Sequence, residues 1–177
     1  MALTQTQVSE LYVAIFNRAS EGEGNEFWQN TGLEAAAVAT EMLATEDAAE
    51  YFGTSLDDDQ AFIEHIYQNT LNKTIADDPD GIAYWVGLLA DGATRGEVVA
   101  GLVEAIESYA PDGANYDPAD AATVAAYNQF ANRVEVSNYT ADTFATFDPD
   151  TYDYKQALGF DGDLNVTDDA SSVASAK

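Results

Sequence analysis

The pattern Asp161-x-Asp163-x-Asn165 sets three oxygen-bearing side chains at the alternate spacing with which an EF-hand calcium loop opens. Val166 stands where that loop needs Gly, and Ser172 where it needs the closing Glu. Looser calcium contacts through Asp161 and Asp163, or a plain surface turn, are the readings left open. A second set of acids lies in two loops, 18–24 (RASEGEG) and 73–81 (KTIADDPDG). Each loop places acids between a basic residue and a glycine that opens an aromatic-bearing helix. Acids there complement the helix dipole by ~0.3–1 kcal/mol each. The alternative is a Ca²⁺ site involving Asp77, Asp78 or Asp80.

Aromatic residues offer different chemistry. Trp28 and Trp85 each follow another ring, Phe27 and Tyr84. Exposed rings stack on sugars, but recurrence at equivalent places in two copies points to core packing. A glycan-binding surface is then expected from loop residues, with Tyr109, Asn115 and Tyr116 as candidates. His65 is the single histidine. No Ser–Asp pattern makes it a general base, and a rim position is expected. No spacing among the acids singles out a glycosidase pair, and no Gly-rich phosphate loop is present. The expectation is a non-enzyme.

Composition narrows the partners. The 177 residues carry 6 Lys+Arg against 32 Asp+Glu, a formal charge of −26. Phosphate-backbone binding needs clustered Lys and Arg, so nucleic acid is excluded as a partner. Cysteine is absent, which removes disulfides, thiolate metal sites and cysteine nucleophiles. No apolar run approaches the ~18 residues of a membrane helix, so no membrane insertion is expected. The opening MALTQTQVSE lacks the basic and apolar regions of a Sec signal peptide. With 46% hydrophobic and 11% aromatic residues the chain is too apolar for a disordered acidic tail. The acid therefore coats a folded domain, whose self-repulsion is relieved by salt or by divalent cations.

The elements that must position these residues read as helix after helix. Val8, Leu11, Tyr12, Ile15 and Phe16 form an amphipathic stripe, opened by a Thr4–Gln7 capping box. Further helices are expected over about 23–30, closed by Gly32, and about 34–44. Thr45 caps a short turn ending at Tyr51, Phe52 and Gly53. Ile63, Ile66, Tyr67, Thr70 and Leu71 mark the next helix, and Asp80 to Ala90 another. Thr94 and Glu97 make a second capping box for a helix through Tyr109. Asp117, with Pro118 at the first helical position, is expected to cap a helix running to about Val136. Residues 140–160 read as short helices and turns, and no alternating strand pair is found.

A repeat organises these helices. With a shift of 55, Val8, Leu11, Tyr12, Ile15, Phe16, Asn17 and Arg18 fall on Ile63, Ile66, Tyr67, Thr70, Leu71, Asn72 and Lys73. With a shift of 57, Gly24, Phe27 and Trp28 fall on Gly81, Tyr84 and Trp85. The expected fold is all-α, two diverged three-helix repeats followed by a long helix and short helical segments. The divisions are 1–53, 54–110, 111–160 and 161–177. Val166 to Ala174 reads as the start of a further helix, or a linker into a downstream region, so the chain is expected to be an N-terminal fragment.

The segment LYVAIFNRASEGEGNEFW (11–28) resembles the opening of Gram-negative surface-layer (S-layer) proteins, particularly the surface-array proteins of the Campylobacter type. Those begin with a helix ending in a near-identical A-S-E-G-x-G-N-x-[FY]-W stretch. Residues 66–85 (IYQNTLNKTIADDPDGIAYW) are similar to a widespread repeat of secreted bacterial proteins with an R-x-P-D-x-x-G-x-x-Y-W pattern. YNQFANRVEVSNY (127–139) and LNVTDDASSVASAK (164–177) also resemble the S-layer group.

The resemblance implies an extracellular domain anchoring a lattice to the outer membrane by noncovalent binding to lipopolysaccharide. It also implies lattice contacts with copies of the same protein through a C-terminal region, with calcium, after type I secretion. Because this domain is anionic, attraction must come from a neutral O-polysaccharide or from Ca²⁺ bridging. The alternative is an accessory glycan-binding or adhesin module of a secreted calcium-dependent repeat protein or exoenzyme.

Overall fold

Helix α1 (Gln5–Phe16) opens on the expected box: the Gln7 N–H donates to Thr4 Oγ1 at 3.2 Å, and the Thr4 N–H to Gln7 Oε1 at 3.0 Å. Its apolar stripe is buried, and so are Ser9, Val13 and Ala14, so α1 is enclosed on more than one side. Helix α5 (Asp59–Leu71) repeats it, with Phe62, Ile63, Ile66, Tyr67 and Leu71 buried. Both helices end on an asparagine in the left-handed region, Asn17 at φ 48° and Asn72 at φ 51°. The short polar Asn side chain tolerates this conformation better than most residues. These coordinates are a computed structural model, and residues 1–147 and 166–177 are described.

The remaining helices keep the repeat. In the first copy α2 (Gly22–Asn30), α3 (Ala35–Leu43) and α4 (Glu46–Phe52) follow α1, with a 3₁₀ turn over Gly53–Asp57. In the second, α6 (Pro79–Ala90) and α7 (Arg95–Glu107) follow α5. Equivalent helices pack on each other across the repeats, α1 on α5 and α3 on α7. Gly96 permits the second contact. A Cβ there would fall 2.9 Å from the Thr40 backbone nitrogen and closer still to the Ala36 carbonyl. One core therefore serves both copies, uniting Leu11, Ile15, Phe62, Ile66, Leu102 and Ile106. Each such side chain contributes roughly 1.5–3 kcal/mol on burial. Among the described residues no strand occurs, and the fold is all-α.

Helix α8 (Ala121–Thr143) corrects the expected boundaries at both ends. Its cap is Asp120, which accepts from the Thr123 N–H at 3.1 Å and the Thr123 hydroxyl at 2.7 Å. Asp117 instead closes a turn by accepting from the Ala119 N–H at 2.9 Å, and Pro118 lies in that turn. Helical packing carries on past Val136 to Thr143 because Ser137 and Thr140 are buried against the chain around Ser20. The last helix, α9 (Ser171–Ala176), lies against α8. Val166 and Val173 form a small cluster with Ala19 and Val136, and Arg133 Nε donates to the Val166 carbonyl at 3.1 Å. Burial lowers the Arg133 pKa to about 10.

Candidate functional site

The two acid loops organise the starts of the aromatic helices. In the second copy Asp78 is the cap of α6, accepting from the Gly81 N–H at 2.9 Å and from the Tyr67 hydroxyl. These bonds, the Tyr67 one foremost, hold its carboxyl below the usual range. Burial and the same bond push the Tyr67 phenol up. Gly81 has no room for a side chain, because a Cβ would meet the Tyr67 hydroxyl and the Asp78 carboxylate. Asp77 accepts from the Thr74 N–H at 2.8 Å and its hydroxyl at 2.9 Å, which lower its pKa. Asp80 lies in the first turn of α6. Asp77 and Asp78 thus shape the loop and cap the helix. The cap is Asp78 and the helix starts at Pro79, one residue earlier than the expected start at Asp80.

The first copy keeps the geometry with other parts. A Cβ on Gly24 would lie 2.7 Å from the Tyr12 hydroxyl. Glu21 occupies the cap position without a side-chain bond to the helix, and pairs with Arg18 at 3.3 Å. The Arg18 guanidinium sits 5.0 Å from the Tyr12 ring centroid. The N-terminal N–H groups of α2 are satisfied from far along the chain. Gly22 donates to the Phe144 carbonyl at 2.8 Å and Glu23 to the Ala145 carbonyl at 2.9 Å.

Above these starts stand the aromatic pairs. Trp28 and Trp85 are half-buried and pack against the shared core. The Trp85 ring also packs over Gly101. Their neighbours point outward: Phe27 is 62% exposed and Tyr84 61%. Each outer ring meets its indole edge-on, with centroids 5.0 Å apart in the first copy and 5.3 Å in the second. The pair thus divides its work, one ring toward the core and one toward solvent.

Of the loop residues expected to bind sugar, Tyr109 is half-buried against the core. Asn115 closes its own loop, donating from Nδ2 to Ser108 Oγ at 3.0 Å and from its N–H to the Ser108 carbonyl at 2.9 Å. Tyr116, 38% exposed, is the more outward of the two rings. His65 packs edge-on to Tyr51 and Phe52, with centroids 5.8 and 5.5 Å away, which fits a rim position. Among the described residues no group of three or more His, Asp or Glu is arranged to hold a metal. Asp161 and Asp163 lie outside the described residues.

A cleft that sequence reading did not reach runs beside α2. It has a volume of about 580 Å³ and is lined by Gln5, Asn25, Glu26, Gln29 and Asp142, among others. Its walls are tied by polar bonds. Gln5 Nε2 donates to the Asn138 carbonyl at 3.0 Å and to Asp142 Oδ1 at 3.1 Å. Asn25 Nδ2 donates to Ser20 Oγ at 2.9 Å, and Gln29 Nε2 to Asn25 Oδ1 at 2.8 Å. Ser137 Oγ bonds Ser9 Oγ at 2.8 Å and Ser20 Oγ at 2.9 Å, fixing α8 to both. Carboxamides and carboxylates of this kind donate to and accept from hydroxyl groups.

These features define a helical-repeat domain with paired, half-exposed aromatic positions. Residues 39–111 match a family described as Domain of unknown function (DUF4214). That stretch runs from within α3 through all of the second repeat. No curated protein and no solved structure matches the chain.

Proposed function

We propose that this domain is a non-enzymatic anchor of a secreted surface-layer protein, attaching the lattice to the outer membrane through the neutral O-polysaccharide of lipopolysaccharide. The observation that carries the reading is the outward ring at the same place in both repeats, Phe27 and Tyr84. Neither ring serves the core, and each is braced by an indole that does. A flat apolar ring beside hydrogen-bonding groups suits the face of a sugar, which presents C–H groups ringed by hydroxyls. The amide-lined cleft along α2 supplies such groups beside the first ring's helix.

The charge of −26 turns the same surface away from phosphate-rich ligands. The alternative attraction is Ca²⁺ bridging this anionic surface to anionic groups of the lipopolysaccharide, with Asp80, Asp161 and Asp163 as the acids to test. Contacts between copies of the protein in a lattice at the cell surface belong to the same proposal. No helix among the described residues is long and apolar enough to cross a membrane, and the anchoring proposed needs none.

A second reading is an accessory glycan-binding or adhesin module of a secreted calcium-dependent repeat protein or exoenzyme. It is favoured by the family match covering the second repeat, whose motif resembles one found in many secreted proteins. Sedimentation with purified lipopolysaccharide, with and without Ca²⁺, tests the first reading. Binding to smooth lipopolysaccharide but not to forms lacking O-polysaccharide is expected. Binding to neither form removes the reading.

A further inference from the structure

Helix α1 belongs to the first repeat and α7 to the second, and the two pack together. Where they meet, Glu10 on α1 and Glu104 and Glu107 on α7 line one cleft of about 280 Å³, with Leu11, Ala100 and Val103. Carboxylates from both repeats therefore face each other over an apolar floor. No basic side chain among the described residues lines the cleft. Among the described residues neither Glu10 nor Glu107 has an ion-pair partner.

Among the described residues the surroundings add only neutral or negative groups. Helix α3 brings Ala35, and Gln7 of α1 is uncharged. Asp112, in the loop after α7, acts on Glu107. From α8 the Tyr127 phenol faces the same acids and is pushed up by burial, then by Glu107, Asp112 and Glu10. Burial first, and Glu107 second, raise the Glu10 carboxyl to about 7. Burial and Asp112 raise Glu107 as well.

We infer that Glu10 and Glu107 form a proton-dependent latch between the two repeats: on acidification one proton taken up by the pair relieves their repulsion and tightens the α1–α7 seam. In the unfolded chain a glutamate ionises near ~4.3. Between that value and about 7 the folded protein holds more protons than the unfolded chain. Stability from this site is therefore full at the acidic end of the window and is lost as pH rises through about 7.

The whole acidic surface pushes in the same direction, so a control is needed. The test follows the urea midpoint of the full chain from about pH 5 to about pH 8 for wild type, Glu10→Gln, Glu107→Gln and the exposed control Glu41→Gln. The wild-type midpoint should fall with rising pH, and Glu41→Gln should run parallel to it. Glu10→Gln should flatten the fall and lie above wild type at the alkaline end. Carbon NMR of the glutamate carboxyls should place Glu10 near neutrality, and lower in Glu107→Gln. This measurement on wild type decides the matter if Glu10→Gln fails to fold. A Glu10 carboxyl titrating in the ordinary glutamate range, or a Glu10→Gln profile parallel to wild type, overturns the latch.

Discussion

In the second repeat a side chain, Asp78, caps the aromatic helix and receives the Tyr67 hydroxyl. In the first, Glu21 turns to Arg18, and backbone carbonyls of Phe144 and Ala145 serve the helix instead. Both copies nonetheless bring a tyrosine hydroxyl against a glycine, Tyr12 on Gly24 and Tyr67 on Gly81. The contrast separates what the repeat requires from what it tolerates. The close tyrosine–glycine approach and the inward indole are kept. The source of the cap is free to change, because any acceptor satisfies an N-terminal N–H. The second copy is locally complete, whereas the first depends on the end of α8, and that dependence builds the cleft beside α2.

The comparison can be broken hardest at the indoles. Trp28→Ala and Trp85→Ala should each cost about 3 kcal/mol, the low end for a large aromatic since both are half-buried. Thermal unfolding of the two variants measures this, and a loss under about 1 kcal/mol in either copy would remove that indole from the shared core. Next, Gly24→Ala and Gly81→Ala should each cost roughly 1–3 kcal/mol, because the tyrosine hydroxyl and the acid must move. Similar losses in both would support the conserved approach, and a neutral Gly24→Ala would confine it to the second copy.

The caps should differ. Asp78→Ala loses a cap and a hydroxyl partner and should cost about 1–2 kcal/mol in urea denaturation. Glu21→Ala loses a largely buried ion pair but no helix cap, and Arg18 keeps Asp47 at 4.0 Å, so it should cost less than Asp78→Ala, about 1 kcal/mol. Equal costs would erase the contrast. The Asp78 contribution also has a sign with pH. Its pKa is lowered in the fold, so the stabilisation is present above the ordinary aspartate value and is lost as pH falls through the folded one.

The pattern of the sequence carries much of this architecture. Apolar spacing locates α1 and α5, and their match at a fixed shift reveals the repeat. The boxes at Thr4–Gln7 and Thr94–Glu97 form as read, since a capping box is local and its partners lie three residues apart. Local signals also mislead where two acids compete. Asp117-Pro118 has the form of a helix start, but Asp120 wins because both Thr123 donors reach it. At the candidate site the recurrence of Trp28 and Trp85 points to the core, against which both indoles pack. The outward turn of Phe27 and Tyr84 carries no such signal, because only the packed fold sets how far a ring beside a core residue is exposed. The α2 cleft and the Glu10–Glu107 pair join distant segments through tertiary contact, which leaves no mark in a local window.

Anchoring through the outward rings is tested most directly by lipopolysaccharide binding to the intact domain and to a Phe27→Ala/Tyr84→Ala double variant. Both rings are exposed, so their removal should leave the melting transition within about 0.5 kcal/mol of wild type. The account predicts that wild type binds O-polysaccharide-bearing lipopolysaccharide, and that the double variant binds at least about tenfold more weakly, or about 1.4 kcal/mol. Absence of wild-type binding, with or without Ca²⁺, or full binding by a folded double variant, would contradict it.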